Sequence, residues 1–233
     1  MTNINIPANV HDLPELRNTE HVYAGREEAG VVLADMLADL AKESPIVLAI
    51  PAGGVPVAAV VAQRLKAPLS LLITSKATPS WNTEVGFAAV AFDGSEMINQ
   101  ESVKRLGLTP EEVREGLRQA HEKVSNRWLR FLGERGLPEV RGRTVILVDD
   151  GLASGFTMMV AIKALESKGA DTIIVAVPTA HLHSVLKIAP LVEQLYCPNI
   201  RGGWIYAVAD AYQHWHDVSE DEVEEILGSR CSS

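Results

Sequence analysis

Cysteine is scarce in this 233-residue chain: Cys197 and Cys231 are too few and too ill-spaced for a disulfide framework or a cysteine-based zinc site, so both are expected to be ordinary thiols. Basic runs are missing too. With a formal net charge of -9 and no cluster of Lys and Arg, the sequence lacks the electrostatic footprint of a protein that grips a phosphate backbone, and nucleic acid is set aside as its main partner. Apolar runs such as Val55 to Ala62 fall short of the ~20 residues needed to cross a bilayer. Met1 to Asn9 lacks the charged-then-apolar layout of a secretion signal. A cytoplasmic protein without membrane contact is therefore expected. The patterns G-x-x-x-x-G-K-[ST] and G-x-G-x-x-G after a strand are also lacking, which argues against a P-loop and a dinucleotide fingerprint. Apart from one Asp-Asp pair, no His, Cys or acid cluster has metal-ligand spacing.

What is present is 47% hydrophobic and 22% charged, enough for one large core and a small appended flap. Leu33, Met36, Leu37 and Leu40 recur at helical spacing and stop before Pro45. IVLAI at 46–50 leads through PAGG into a helix-length segment from Val55 to Leu65, and LSLLI at 69–73 reads as the next strand. The rhythm returns with TVILV at 144–148, a helical segment over 156–168, and TIIVAV at 172–177. Strands apolar on both faces that alternate with helices imply a parallel sheet covered on both sides. Two pieces depart from this rhythm. Thr74 to Gly94 reads as an exposed loop feeding a hairpin strand over Val85 to Phe92. Thr109-Pro110-Glu111-Glu112 combines an N-cap Thr, Pro at the first helical position and a capping Glu, opening a long helix to about Glu134. Ser219-Glu220-Asp221-Glu222 opens a short final helix through Leu227 in the same way. Residues 1–22, with Pro7 and Pro14 and no periodicity, are expected as an arm that lies over the domain or is partly disordered.

VILVDDGLASGFTM, Val145 to Met158, carries the chemistry. Ligands of a parallel sheet collect at the carboxyl ends of its strands, and Asp149 and Asp150 stand at such an end. Gly151 to Thr157 can curl into a nest of backbone N–H groups at a helix start, which favours phosphate, and Ser154 and Thr157 add hydroxyl donors. Carboxylates repel phosphate, so the acids must address another part of the same ligand. Vicinal hydroxyls suit them, and so does the hydration shell of Mg2+. The inferred ligand is a phosphorylated sugar. The plainer alternative is an Asp-Gly turn whose Ser154 merely caps a helix. Gly53 and Gly54, between a strand and a helix, leave bare amides for a second anion, or else make only a tight turn.

The same fourteen residues resemble the PRPP-binding motif of the type I phosphoribosyltransferases, in which four apolar residues and two acids precede a Thr-Gly-small-Thr loop (PRPP is 5-phosphoribosyl 1-diphosphate). The resemblance extends from about Tyr23 to Leu227, including AGREEAG and YQHWHDVSEDEV. It implies an α/β fold, a Rossmann-like parallel sheet flanked by helices with a small hood, in which residues 23–233 include a flexible loop at 75–94 and a C-terminal hood at 197–228. It further implies that Asp149 and Asp150 bind the ribose hydroxyls and water-bound Mg2+, and that Ala153, Ser154, Gly155, Phe156 and Thr157 enclose the 5′-phosphate. Ala52, Gly53 and Gly54 correspond to the pyrophosphate loop, where Ala52 replaces the usual basic residue. Lys76 would reach the pyrophosphate and complete the catalytic set with the two acids, while Ser75 stands where related proteins carry Arg. Phe156 replaces a small residue, so its ring must point away from the phosphate. The implied activity is Mg2+-dependent transfer of the phosphoribosyl group from PRPP to a small-molecule acceptor by a homodimer. A regulator that binds PRPP or a nucleotide without turnover is one alternative, and a structural or interaction protein that merely retains the fold is another. Trp204, Tyr206, Tyr212 and Trp215 of the hood could stack on a nucleobase or form the hood's own small core. His181 and His183 could face the crevice or start a surface helix.

Overall fold

Four apolar residues in a row, Ile46 to Ala49, leave no polar face to turn toward water, so a strand made of them must be covered on both sides. The computed structural model, which describes residues 6–82 and 85–228, meets that demand. In chain order, β1 (Val10–His11) and α1 (Arg26–Met36) precede β2 (Ile46–Ala49), α2 (Gly54–Leu65) and β3 (Leu69–Leu71). Next come β4 (Thr74–Ala77), β5 (Ala88–Ala91), β6 (Glu96–Ile98), α3 (Gln100–Leu106) and α4 (Pro110–Phe131). The second half holds β7 (Thr144–Val148), α5 (Phe156–Ser167), β8 (Thr172–Ala176), β9 (Thr179–His181), α6 (Leu182–Ile188), β10 (Gln194–Tyr196), β11 (Asn199–Arg201) and α7 (Glu220–Gly228).

Six of the described strands pair in parallel in the order β1-β10-β8-β7-β2-β3. Alternation along each strand divides the core. Val47, Ala49, Ile146, Val148 and Ile174 join Leu33, Val61 and Val124 beneath α1, α2 and α4. Ile46, Leu48, Val145, Leu147 and Val175 face the other way, onto Met158, Ile162 and Val185 of α5 and α6. Side chains such as Leu33, Leu48 and Leu147 are fully buried, each contributing about 1.5–3 kcal/mol. The α/β architecture with a helix-covered parallel sheet is thus the one the alternation implied. α4 opens with both halves of its capping box, Thr109 N donating to Glu112 at 2.8 Å and Glu112 N to the Thr109 hydroxyl at 3.2 Å. The stripe ending at Leu40 is continuous only in part. The α-helix ends at Met36 and a 3-10 turn, Ala38–Glu43, completes the segment.

Two expectations need correction. Exposed loop takes up less of 75–94 than expected: β4 pairs antiparallel with β5, which lies within the strand expected over Val85 to Phe92, and β5 pairs with β6. Ala77, Ala88 and Val90 are buried in the core shared with Ala120 and Val124 of α4, while Ala89 and Ala91 lie against Val160 and Ala164 of α5. Trp81, 59% exposed, marks the open part of the connection. The stretch expected as an arm also supplies structure. β1 is an edge strand of the main sheet, and the Asn9 side chain donates to the carbonyls of Ala189 and Val192 at 2.8 and 3.0 Å. Cys197 is a buried free thiol, and Cys231 lies outside the described residues. Among the described residues no helix is long and apolar enough to cross a membrane.

Candidate functional site

β2 and β7 are parallel neighbours, so the turns that follow them leave the same edge of the sheet. After β7 come Asp149 and Asp150, and the Asp150 amide donates to Asp149 Oδ1 at 2.9 Å. After β2 come Pro51 to Gly53, with a cis peptide between Pro51 and Ala52. The two turns touch. A Cβ added to Gly53 would lie 2.0 Å from Asp150 Oδ2, and one added to Gly54 would lie 2.8 Å from the Asp149 Cα. Real side chains do not approach so closely, so the glycines are what allow the acids their place.

The other end of the motif is a helix start. Gly155 has φ +79°, a left-handed conformation natural to glycine, and α5 begins at the next residue without a side-chain cap. Its first-turn amides are therefore left for another partner. Ala153 and Ser154 are exposed and Thr157 is half-buried. The Ser184 hydroxyl donates to the Ala153 carbonyl, while Leu152 N and His181 N exchange bonds with Thr179 and Leu152 carbonyls at 3.0 and 2.9 Å. The loop is thus pinned by β9 and α6. Phe156 packs beside Ala89, Ala91 and Val160, with Lys187 Nζ 5.5 Å from its ring centre. Its bulk is taken up by the antiparallel sheet.

Burial sets the electrostatics of the acid pair. It pushes the Asp149 carboxyl well above the ordinary carboxylate range, and the charge of Asp150 adds to the rise. Asp150 is also raised by burial, against the pull of Arg26. Both acids are half-buried, the Asp150 side chain being 15% exposed. Arg26, at the start of α1, donates to Asp150 Oδ2 from Nε at 3.0 Å and from Nη2 at 2.9 Å. Arg26 lies within AGREEAG, where spacing and composition alone assign it no role. One signal was available: a cation at the first helical position opposes the helix dipole, which favours acids there.

Residues 20–212 match the family described as "Phosphoribosyl transferase domain". The chain belongs to this family. Two Mycobacterium tuberculosis proteins named "Putative phosphoribosyl transferase" are each 32% identical over 206 residues, 88% of this chain and 46% of theirs. The chain thus spans about half the length of the curated relatives it matches. A crystal structure from Thermus thermophilus is similar at a TM-score of 0.70 and 29% identity, over 88% of this chain and 97% of that one. A protein of Aquifex aeolicus, 13% identical at a TM-score of 0.50 over 77% of this chain and 74% of its own, shares the fold alone.

In this phosphoribosyl transferase domain the aromatics of the segment expected as a hood divide. Tyr212 is buried against Tyr23, donates its hydroxyl to the Asp150 carbonyl at 2.6 Å, and lies 5.2 Å from Trp215, ring centre to ring centre. Tyr206 donates to the Thr179 hydroxyl at 3.3 Å. Trp204, for which base stacking and a place in the hood's core were both open, stands fully in solvent with Ile205, so it is not part of that core. His181 caps α6, its Nδ1 accepting from His183 N at 3.3 Å, and its Nε2 lies 3.0 Å from the Gly203 carbonyl. That is the surface helix start foreseen as one option. Lys76 is placed differently from the other candidates, within β4 opposite Ala89, and it adds slightly to the lowering that burial and Arg127 impose on the Lys123 ammonium of α4. Ser75 is buried, its hydroxyl donating to the Lys76 carbonyl at 3.2 Å.

Proposed function

We propose that this domain transfers the 5-phosphoribosyl group of PRPP to a small-molecule acceptor and releases pyrophosphate. The observation that carries the reading is the meeting of an acid pair, an uncapped helix start and a two-glycine turn at the ends of adjacent parallel strands. Each acid has one oxygen engaged, Asp149 Oδ1 by the Asp150 amide and Asp150 Oδ2 by Arg26. The remaining oxygen of each takes no hydrogen bond from another residue among the described residues, which suits two neighbouring ring hydroxyls. Amides at Ala153 to Thr157, with the Ser154 and Thr157 hydroxyls, would hold the 5′-phosphate. Ala52, Gly53 and Gly54 would take the diphosphate through backbone donors, with Lys76 as the added cation.

Displacement at the anomeric carbon passes through cationic sugar character, as in glycoside cleavage. Positioning and electrostatics then carry most of the catalysis. The helix start fixes one end of the sugar, the acids fix its ring, and the glycine turn holds the leaving group in line. Two carboxylates fit Mg2+, a hard cation that keeps several waters and is shared with substrate phosphates. When bound it would offset charge on the departing diphosphate. In this reading the domain works as a homodimer in the cytoplasm, which sedimentation and cell fractionation test.

A second reading, a regulator that binds PRPP or a nucleotide without turnover, is favoured by the neutral Ala52 in the two-glycine turn. Pyrophosphate release from PRPP and Mg2+ with a panel of bases separates the two: release supports transfer, and binding without release supports the regulator. Binding itself is tested by thermal shift. Ligand at a hundred times its Kd adds about 2.7 kcal/mol, and each kcal/mol is worth roughly 2–4 °C in a domain of this size. No shift with PRPP, ribose 5-phosphate or nucleotides sinks both readings.

A further inference from the structure

Arg26 begins α1 beside Glu27 and Glu28, which are exposed, yet its own side chain is only 6% exposed. A buried guanidinium at the positive end of a helix dipole is unfavourable unless strong partners offset it. It has three kinds. Nε and Nη2 donate to Asp150 Oδ2, Nη1 donates to the His216 carbonyl at 2.8 Å, and the guanidinium lies 3.9 Å from the centre of the Trp215 ring. Trp215 in turn lies beside Tyr212, whose hydroxyl holds the Asp150 backbone. The start of α1, the turn after β7 and the hood thus meet at one carboxylate.

The form of this ion pair points beyond fold stability. An Arg–carboxylate pair is usually strongest as a two-pronged fork, one donor to each oxygen. Here both donors converge on Oδ2, which fixes the carboxylate in rotation, while Oδ1 takes no hydrogen bond from any other residue among the described residues. We infer that Arg26 is a positioning residue: it holds Asp150 with Oδ1 turned to a ligand hydroxyl and ties that orientation to the Trp215 wall of the hood. This rests on the proposal that the acids grip the ribose.

The test compares two sugars. Ribose 5-phosphate offers both hydroxyls; 2,3-dideoxyribose 5-phosphate keeps the ring and phosphate and lacks both. Calorimetry with Mg2+ gives Kd for each on the unmodified protein, Arg26→Lys, Arg26→Gln and Trp215→Leu, with thermal melting to confirm that each variant is folded. The unmodified protein is expected to prefer ribose 5-phosphate by roughly ten-fold or more, the worth of a hydrogen bond to a charged group. Both Arg26 variants should lose most of that preference while their affinity for the dideoxy sugar stays within about two-fold, and Trp215→Leu should move the same way by less. A preference that survives in a folded Arg26→Lys, or affinities that fall equally for both sugars, overturns the positioning role and leaves the proposed function standing. If Arg26→Gln does not fold, Arg26→Lys decides. No preference in the unmodified protein overturns the acid–hydroxyl reading and the positioning role together.

Discussion

The turns after β7 and β2 leave neighbouring strands of one sheet and differ in composition. Both hold alanine and glycine, but the first adds two acids and a serine, whereas the second, Pro51 to Gly53, has no polar side chain. The bare turn is bare because the furnished one is not, since the Asp150 carboxylate fills the space into which a Gly53 side chain would project. The furnished turn also weighs on the fold. Burial and mutual repulsion hold Asp149 well above the ordinary carboxylate range, so the pair is kept against its own electrostatics. Such features are characteristic of binding sites rather than of cores.

The harshest way to break the relation between the turns is Gly53→Ala, which would place a methyl 2.0 Å from Asp150 Oδ2. We expect loss of ribose 5-phosphate binding by at least about a hundred-fold and a cost of roughly 1–3 kcal/mol in stability, read by calorimetry and melting. Unchanged binding would mean that the turns are independent. Asp149→Asn should weaken the same ligand by about ten- to a hundred-fold yet raise the melting temperature of the free protein. Here the sign follows from linkage. Because the folded-state pKa is raised, the stability contribution of Asp149 is fully present below the ordinary carboxylate range and is lost as pH rises through the raised value. The margin of the Asn variant over the unmodified protein should therefore widen from acid to neutral pH, and a narrowing margin contradicts the account. Ala52→Arg furnishes the bare turn and should tighten pyrophosphate by about ten-fold in competition calorimetry. Ser154→Ala removes one hydroxyl from the other turn and should cost a few-fold in ribose 5-phosphate affinity, read the same way.

Much of this was legible because it is written locally. β2, β7 and β8 are short apolar runs with no polar face, and α4 announces itself through Thr109, Pro110 and Glu112. The acids and the helix start after them are contiguous, so their chemistry can be read from fourteen residues. What escaped depends on pairing across the chain. β1 is two residues long and has no period to detect; it exists because β10 offers an edge. β4 and β5 bury small residues against α4 and α5, and the alanines Ala77, Ala88 and Ala89 give little hydrophobic signal before those partners are in place. Arg26 meets Asp150 over a separation of 124 residues, so composition and spacing could not join them. Trp204 faces solvent although its residue type favours burial, because its loop is anchored through Gly203 and Arg201 rather than through the ring.

The proposed function requires that main-chain donors at the start of α5 and the Asp149–Asp150 pair grip opposite ends of one phosphorylated pentose. Titration calorimetry of PRPP with Mg2+ into the unmodified protein and the Asp149→Asn, Asp150→Asn double variant tests it most directly. One site per chain is expected, with a fall in affinity of roughly a hundred-fold in the variant, as two hydrogen bonds to charged groups require. Equal affinity in both proteins, or no heat in the unmodified one, would contradict it.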